Sequence, residues 1–306
     1  MARILGVGVA TLDIVNLLER YPAEDDEVRA SAQRISRGGN AGNTLAVLSM
    51  LGHEAVFVGM LAEDADGLRV RDQFEHEGID FAGCPRREGG RTPTSYICSS
   101  QQTGSRTIVH YRDLPELSYS DFARVDLKGV GWVHFEGRSV DETRRMIARV
   151  RNLRPRVRVS VEIEKARPGI DSLFDGPDLV LFSRNFATSQ GFDNPRRFLQ
   201  TIRMGCPRAN LVCAWGDQGG YAYGINGREH HEPAWVPEQV VDTLAAGDVF
   251  NAGIIHALHQ GRSLDESLRF AVRLAGLKCG VHGLAALADK LDDEILEPII
   301  QSSRSA

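Results

Sequence analysis

Residues 240–252 read Val-Val-Asp-Thr-Leu-Ala-Ala-Gly-Asp-Val-Phe-Asn-Ala, with the small residues Ala245, Ala246 and Gly247 directly ahead of a helical pattern. Small side chains let a phosphate oxygen approach the backbone, and the N–H groups of a helix's first turn are unpaired donors. The helix dipole adds partial positive charge at the same place. An acidic side chain in such a turn, here Asp248, suits one task well. It can take a proton from an attacking hydroxyl while the amides of the turn stabilise charge on a phosphoryl group in transit. An aspartate capping an ordinary helix is the plain alternative.

A second glycine-rich stretch, Arg37-Gly38-Gly39-Asn40-Ala41-Gly42-Asn43, opens another helical pattern. Its glycines allow a ligand close to the backbone. Asn40 and Asn43, three apart, share one helix face, and their amides both donate and accept, as sugar hydroxyls do. A glycine-rich helix start with asparagine caps is the alternative. Asp13, read at the end of the first strand, can accept from two hydroxyls of one sugar, or it is a turn aspartate. Gly216-Asp217-Gln218-Gly219-Gly220 follows an apolar strand, and in doubly wound sheets ligands collect beyond such carboxyl ends.

The elements that must hold these residues follow from periodicity. An apolar strand is expected over 4–10, alternating strands over 14–18 and 28–35, and a helix from Ala41 to a stop at Gly52. A hairpin is expected from 94–98 and 107–111. Strands over 130–135, 157–163, 179–182 and 211–214 alternate with helices over 143–152 and 196–204; two further helices span 248–259 and 264–279. Polar residues from Asp289 carry Leu291, Ile295 and Ile299 at helical spacing. Strand–helix alternation implies an α/β fold, a doubly wound, mainly parallel sheet flanked by helices. Residues 1–13, 36–90 and 116–306 form this nucleotide- and sugar-binding domain, and 14–35 with 91–115 form a small β-sheet lid.

Bulk properties narrow the field. A net charge of −5 over 306 residues, with no long basic run, argues against nucleic acid as a partner. The five cysteines, Cys84, Cys98, Cys206, Cys213 and Cys279, are odd in number and lack a CxxC pair, which suggests reduced thiols and a cytoplasmic protein. The run at 4–10 reads as a buried strand rather than a signal peptide, and no apolar stretch reaches the roughly 18–20 residues a membrane span needs. A dinucleotide-dependent dehydrogenase would need GxGxxG after the first strand, and Gly6-Val7-Gly8-Val9-Ala10-Thr11 lacks its last glycine.

The segment Asp242-Thr243-Leu244-Ala245-Ala246-Gly247-Asp248-Val249-Phe250 resembles the D-T-x-G-A-G-D-x-F signature of the ribokinase-like, or PfkB, carbohydrate kinases, departing from it at Ala245. Residues 37–43 match the family's other signature. Further stretches, among them Glu136-Gly137-Arg138, 159–165, Val212-Cys213-Ala214-Trp215 and Leu277-Lys278-Cys279-Gly280, extend the resemblance over nearly the whole chain and narrow it to the ketose 1-kinases. The resemblance implies an ATP-dependent phosphotransferase acting on a primary hydroxyl of a ketose such as fructose. Asp248 would be the catalytic base, and Asp13, Gly39, Asn40 and Asn43 would hold the sugar. Asp25, in the acidic lid turn, either reaches a sugar hydroxyl or is a solvated charge. Arg106 would contact ATP phosphates. Gly216, Asp217, Gly219, Ala245, Ala246, Gly247 and Cys279 would line the nucleotide, Cys279 as a packing residue near the adenine.

Mg²⁺ is implied by ATP, but the family's N-x-x-E motif is not clear in residues 182–187, so its ligands are unassigned. Asp242 and Thr243 either fix the turn or bind a monovalent cation, as in some relatives. If position 245 needs positive φ, its Cβ is strained. A homodimer through the lid is implied as well. Other acceptors stay open: a keto-deoxy acid with Arg138 or Arg167, ribose, or a nucleoside on Tyr96 or Tyr111. So does a non-catalytic sugar sensor.

Overall fold

The protein is described by a computed structural model, which covers residues 2–102 and 105–291. Its centre is a nine-stranded sheet. From one edge the strands are Glu229–Glu232, Gly220–Tyr223, Asn210–Ala214, Leu179–Ser183, Arg158–Ile163, Val130–Glu136, Arg3–Val7, Glu54–Val58 and Ile79–Asp80. From Asn210–Ala214 onward all neighbours are parallel, while the first two strands, Glu229–Glu232 and Gly220–Tyr223, pair antiparallel. Alternate residues feed two cores. Ile4, Phe57, Leu179 and Leu181 pack under the helices Asn40–Met50, Ala246–His259 and Leu264–Cys279. Leu5, Val58, Val180 and Phe182 pack under Val140–Leu153 and Pro195–Gly205. The continuous apolar strands of the sequence are what a sheet covered on both faces requires, and the expected fold class holds. No helix among the described residues is long and apolar enough to cross a membrane.

A separate four-stranded sheet, ordered Ala32–Gly38, Thr11–Leu18, Thr94–Ser100, Arg106–Tyr111, forms the small sheet expected from the early segments. Several boundaries differ from the reading of the sequence, two of them at the site. The first strand stops at Val7, because the chain leaves the main sheet over Gly8–Ala10 and re-enters order at Thr11 in the small sheet. A Cβ on Gly8 would lie 2.2 Å from Glu136 Oε1, so this crossover needs glycine. Asp13 is therefore not at the end of the first strand but inside the first strand of the small sheet. The segment 28–31 is not strand, since pairing starts where Ser31 N–H donates to the Leu17 carbonyl. The helix Asn40–Met50 is capped by Leu51, and Gly52 follows with φ 84°, the stop that was expected. Of the expected tail helix, Ile295 and Ile299 lie outside the described residues.

Pairing divides the small sheet into two faces. Ser36, Asp13, Ser95 and His110 stand opposite one another across the four strands, and so do Ile35, Ile14, Tyr96 and Val109 one residue on. With a side-chain period of two, the first row is polar on one face and the second apolar on the other. Ile35, Tyr96 and Val109 are exposed.

Candidate active site

The helix Ala246–His259 begins without any side-chain cap. Its N-cap is Ala245 at φ 63°, ψ 6°, so the position does demand the left-handed region and carries the strain expected of a Cβ there. A Cβ placed on Gly247 would meet nothing within 4 Å, so the first turn is open on that side.

Asp248 lies in that turn, buried. Its Oδ2 accepts from Asn43 Nδ2 at 2.7 Å. Burial pushes its carboxyl up to about 8, with Glu164 and Glu136 adding to the rise and the Asn43 bond and Arg37 opposing it. The other amide end of Asn43 accepts from Arg37 Nη1 at 3.2 Å. Asn40 Nδ2 donates to Glu162 Oε2 at 3.1 Å, and Asn251 Nδ2, one turn beyond Asp248, donates to Glu162 Oε1 at 3.1 Å. Glu136 Oε1 accepts from the Ala41 amide at 2.8 Å. Burial first, then the charge of Asp248, pushes the Glu162 carboxyl well up; Glu136 is also raised by burial.

Glu136, Glu162 and Arg37 were given no role by the sequence reading. The signal was present, because a glutamate directly after the apolar strand 130–135 and another next to the end of 157–163 are out of place in a core.

The glycines of 37–43 turn out to make room for the protein's own charged groups. A Cβ on Gly38 would sit 2.1 Å from Asp13 Oδ2, and one on Gly42 would sit 2.4 Å from Arg37 Nη1. Gly39, at φ 102°, has the Val9 carbonyl where a Cβ would go. Asp13 is held against this turn, with Thr11 Oγ1 donating to it at 2.9 Å. Burial raises its carboxyl, while hydrogen bonds from Thr11 and Ser95 pull the other way.

The segment ahead of the turn is tied to the small sheet. Arg34 Nη2 meets Asp242 Oδ2 at 3.2 Å, and Arg106 Nη1 donates to Thr243 Oγ1 at 3.1 Å. Below, the fully buried Lys278 donates from Nζ to the Asp242 carbonyl at 2.9 Å and lies 3.3 Å from its carboxylate. A cleft of about 320 Å³ opens between the small sheet and this segment, lined by Leu17, Ser99, Arg106, Thr243, Leu244 and His282 among others.

Cys279 is the last residue of the helix Leu264–Cys279. The Cys279 carbonyl accepts from the amides of Val241 and Asp242 at 2.8 and 3.2 Å. Its thiol is pushed up by burial although Lys278 precedes it, which makes it a poor nucleophile. The turn carrying Gly216 and Gly219 ends at Gly220, where a Cβ would be 3.0 Å from the Phe250 ring. Asp217 is exposed and pairs with Arg184 at 3.1 Å. Asp25 is exposed in the loop between the first two strands of the small sheet, at φ 61°. Among the described residues no group of three or more His, Cys, Asp or Glu is arranged to hold a metal ion.

A helix start with no side-chain cap beside a buried carboxylate suits phosphoryl transfer to an alcohol. The chain belongs to the pfkB family of carbohydrate kinases, whose model matches residues 1–291. It is a phosphotransferase with a carbohydrate acceptor. It is 40% identical to ketohexokinase of Mus musculus over 92% of this chain and 97% of that one, in line with the resemblance to the ketose 1-kinases. The fold matches the structure of Arabidopsis thaliana ribokinase complexed with ribose and ATP at TM-score 0.78 and 21% identity, covering 98% of this chain and 99% of the other. Ribokinase from Giardia lamblia matches at TM-score 0.83 and 16% identity, over 97% and 100%.

Proposed function

We propose that the protein is an ATP-dependent ketose kinase that phosphorylates a primary hydroxyl of a sugar such as fructose, with Asp248 as the base. The observation that carries this reading is the buried Asp248 carboxylate at an uncapped helix start, hydrogen-bonded to Asn43 on the helix that begins beside Asp13. The sugar lies between Asp13 and Asp248, against Gly39, Asn40 and Asn43. Its hydroxyl gives a proton to Asp248 as its oxygen attacks the γ-phosphorus, and the first-turn amides with Arg106 hold the charge that develops. Mg²⁺ bound with ATP would screen its phosphates; such ions need few protein carboxylates, and Glu164, half-buried and felt electrostatically at Asp248, would be one. The small sheet closes over the reaction and excludes water.

A neutral acceptor is favoured over the alternatives. Of the two arginines that an acidic substrate would want, Arg138 is already neutralised by Glu116 at 3.0 Å and Glu136 at 3.8 Å, and Arg167 Nε donates to the Gly137 carbonyl at 3.2 Å. Tyr96 and Tyr111 pair with Ile14 and Thr94, in the rows that alternate with Asp13, so neither offers a nucleoside a platform on the sugar side. We assign the apolar row Ile35, Ile14, Tyr96 and Val109 to a homodimer contact, in a cytoplasmic enzyme.

The test is an ADP-release assay over a panel of ketoses and aldoses, with the product's phosphate position read by NMR. Fructose turnover is expected, and Asp248→Asn should reduce kcat by about 10²–10⁴-fold, the usual worth of a positioned base. A folded Asp248→Asn protein with near-normal turnover removes the base assignment. Sugar binding with no turnover on any member of the panel favours a sensor.

A further inference from the structure

Asn43 reaches Asp248 with one end of its amide and Arg37 with the other. An amide has a donor end and an acceptor end, and a carboxylate can use only the first. A guanidinium has donors and no acceptor, so it can engage only the carbonyl end. We propose that Arg37 is a positioning residue for Asp248, fixing the Asn43 amide so that its –NH₂ faces the base. The inference rests on the role of Asp248 proposed above.

The arrangement around Arg37 is built to hold it in one place. Its side chain is 1% exposed. Nε and Nη2 both donate to Glu77 Oε2, at 2.9 and 2.7 Å, just past the helix Ala65–His76. The guanidinium carbon lies 4.9 Å from the Phe74 ring centroid. Nη1 passes where Gly42 lacks a side chain, since a Cβ there would be 2.4 Å away. Arg37 sits near the end of the strand Ala32–Gly38 and Asn43 in the first turn of the helix Asn40–Met50, so the relay Glu77–Arg37–Asn43–Asp248 crosses four elements. Without Arg37 the amide is free to turn over and set its carbonyl oxygen against the carboxylate.

Removing Arg37 should therefore raise the affinity of Asp248 for a proton. The charged groups facing Asp248 are Glu136 and Glu162 from the sheet, Glu164 just beyond it, and Arg37 from the small sheet. The three carboxyls oppose ionisation and Arg37 favours it.

The experiment follows the Asp248 carboxyl by ¹³C NMR, assigned with Asp248→Asn, together with the pH profile of kcat/KM. Arg37→Met should move the carboxyl titration and the acid limb up by about one pH unit, and lower kcat/KM near neutral pH roughly tenfold, with sugar KM changed less than about threefold. In an Asn43→Ala background the shift should fall to under about half, because the two residues act in series. An unchanged titration with only a lowered melting temperature would make Arg37 a structural anchor and overturn the proposal. If Arg37→Met does not fold, Arg37→Lys decides. It keeps the charge and loses the fork, so an upward shift supports the relay and none overturns it. The NMR reading needs no turnover, so a chain inactive on every sugar would sink the kinase reading while leaving this inference decided.

Discussion

Asp248 bears two opposed demands. As a base it must ionise, and as a buried group it resists doing so, which places its carboxyl at about 8. The unfolded chain ionises the same group near 3.8. Between these values the folded state holds the extra proton, so this group's contribution to stability falls as pH rises from about 4 to about 8. Asn in its place keeps the acceptor for Asn43 and removes the charge. Asp248→Asn should therefore be more stable than the parent at pH 8, by on the order of 2 kcal/mol, and equal to it below about pH 4. Thermal unfolding at the two pH values checks this, and an equal gain at both would show the charge is not the cause. Activity has the reverse dependence, rising with pH toward 8 as the base ionises. The sequence showed Asp248, Asp13 and the two asparagines by type and spacing. It did not show what Asn43 touches, because its partners are 205 and 6 residues away along the chain.

The helices and strands of the central sheet were legible because each carries its own period. The helix Leu264–Cys279 stands where its pattern placed it. The strand Glu54–Val58, the helix Ala65–His76 and the hairpin Gly220–Tyr223 with Glu229–Glu232 were not named, the last because Glu-His-His-Glu has no apolar alternation to read. Lys278 was quoted from the sequence but given no role, since a lysine near a helix's end ordinarily points to solvent. Here it is fully buried and holds the Asp242 segment from beneath. Lys278→Met fills the same space but leaves the Asp242 carboxylate without its buried partner. Loss of one member of a buried pair costs about 3–5 kcal/mol, and chemical denaturation should show a loss of that size. Nucleotide titration should weaken in parallel if the turn moves. A stability loss under about 1 kcal/mol would mean that Arg34, also on Asp242, carries the segment alone.

For the molecule as a whole, the apolar row of the small sheet calls for a cover. Val109 is 65% exposed in a strand with Ile108 and Tyr111 also exposed. Val109→Glu should convert a dimer to a 33.6 kDa monomer in sedimentation velocity. Monomeric parent and variant alike would end the dimer assignment. The same sheet carries Asp13, Ser95 and His110 on one side and Ile14, Tyr96 and Val109 on the other, and within each strand a single step along the chain separates the two. Sliding Thr94–Ser100 by a single residue against Thr11–Leu18 would bring a tyrosine round to the sugar side and carry Ser95 away from Asp13. Register is thus one setting read twice. An inserted residue should be harmless in the loop between Leu18 and Ala32, yet within a strand of the small sheet it would disarm the chemistry and spoil the outer surface at one stroke.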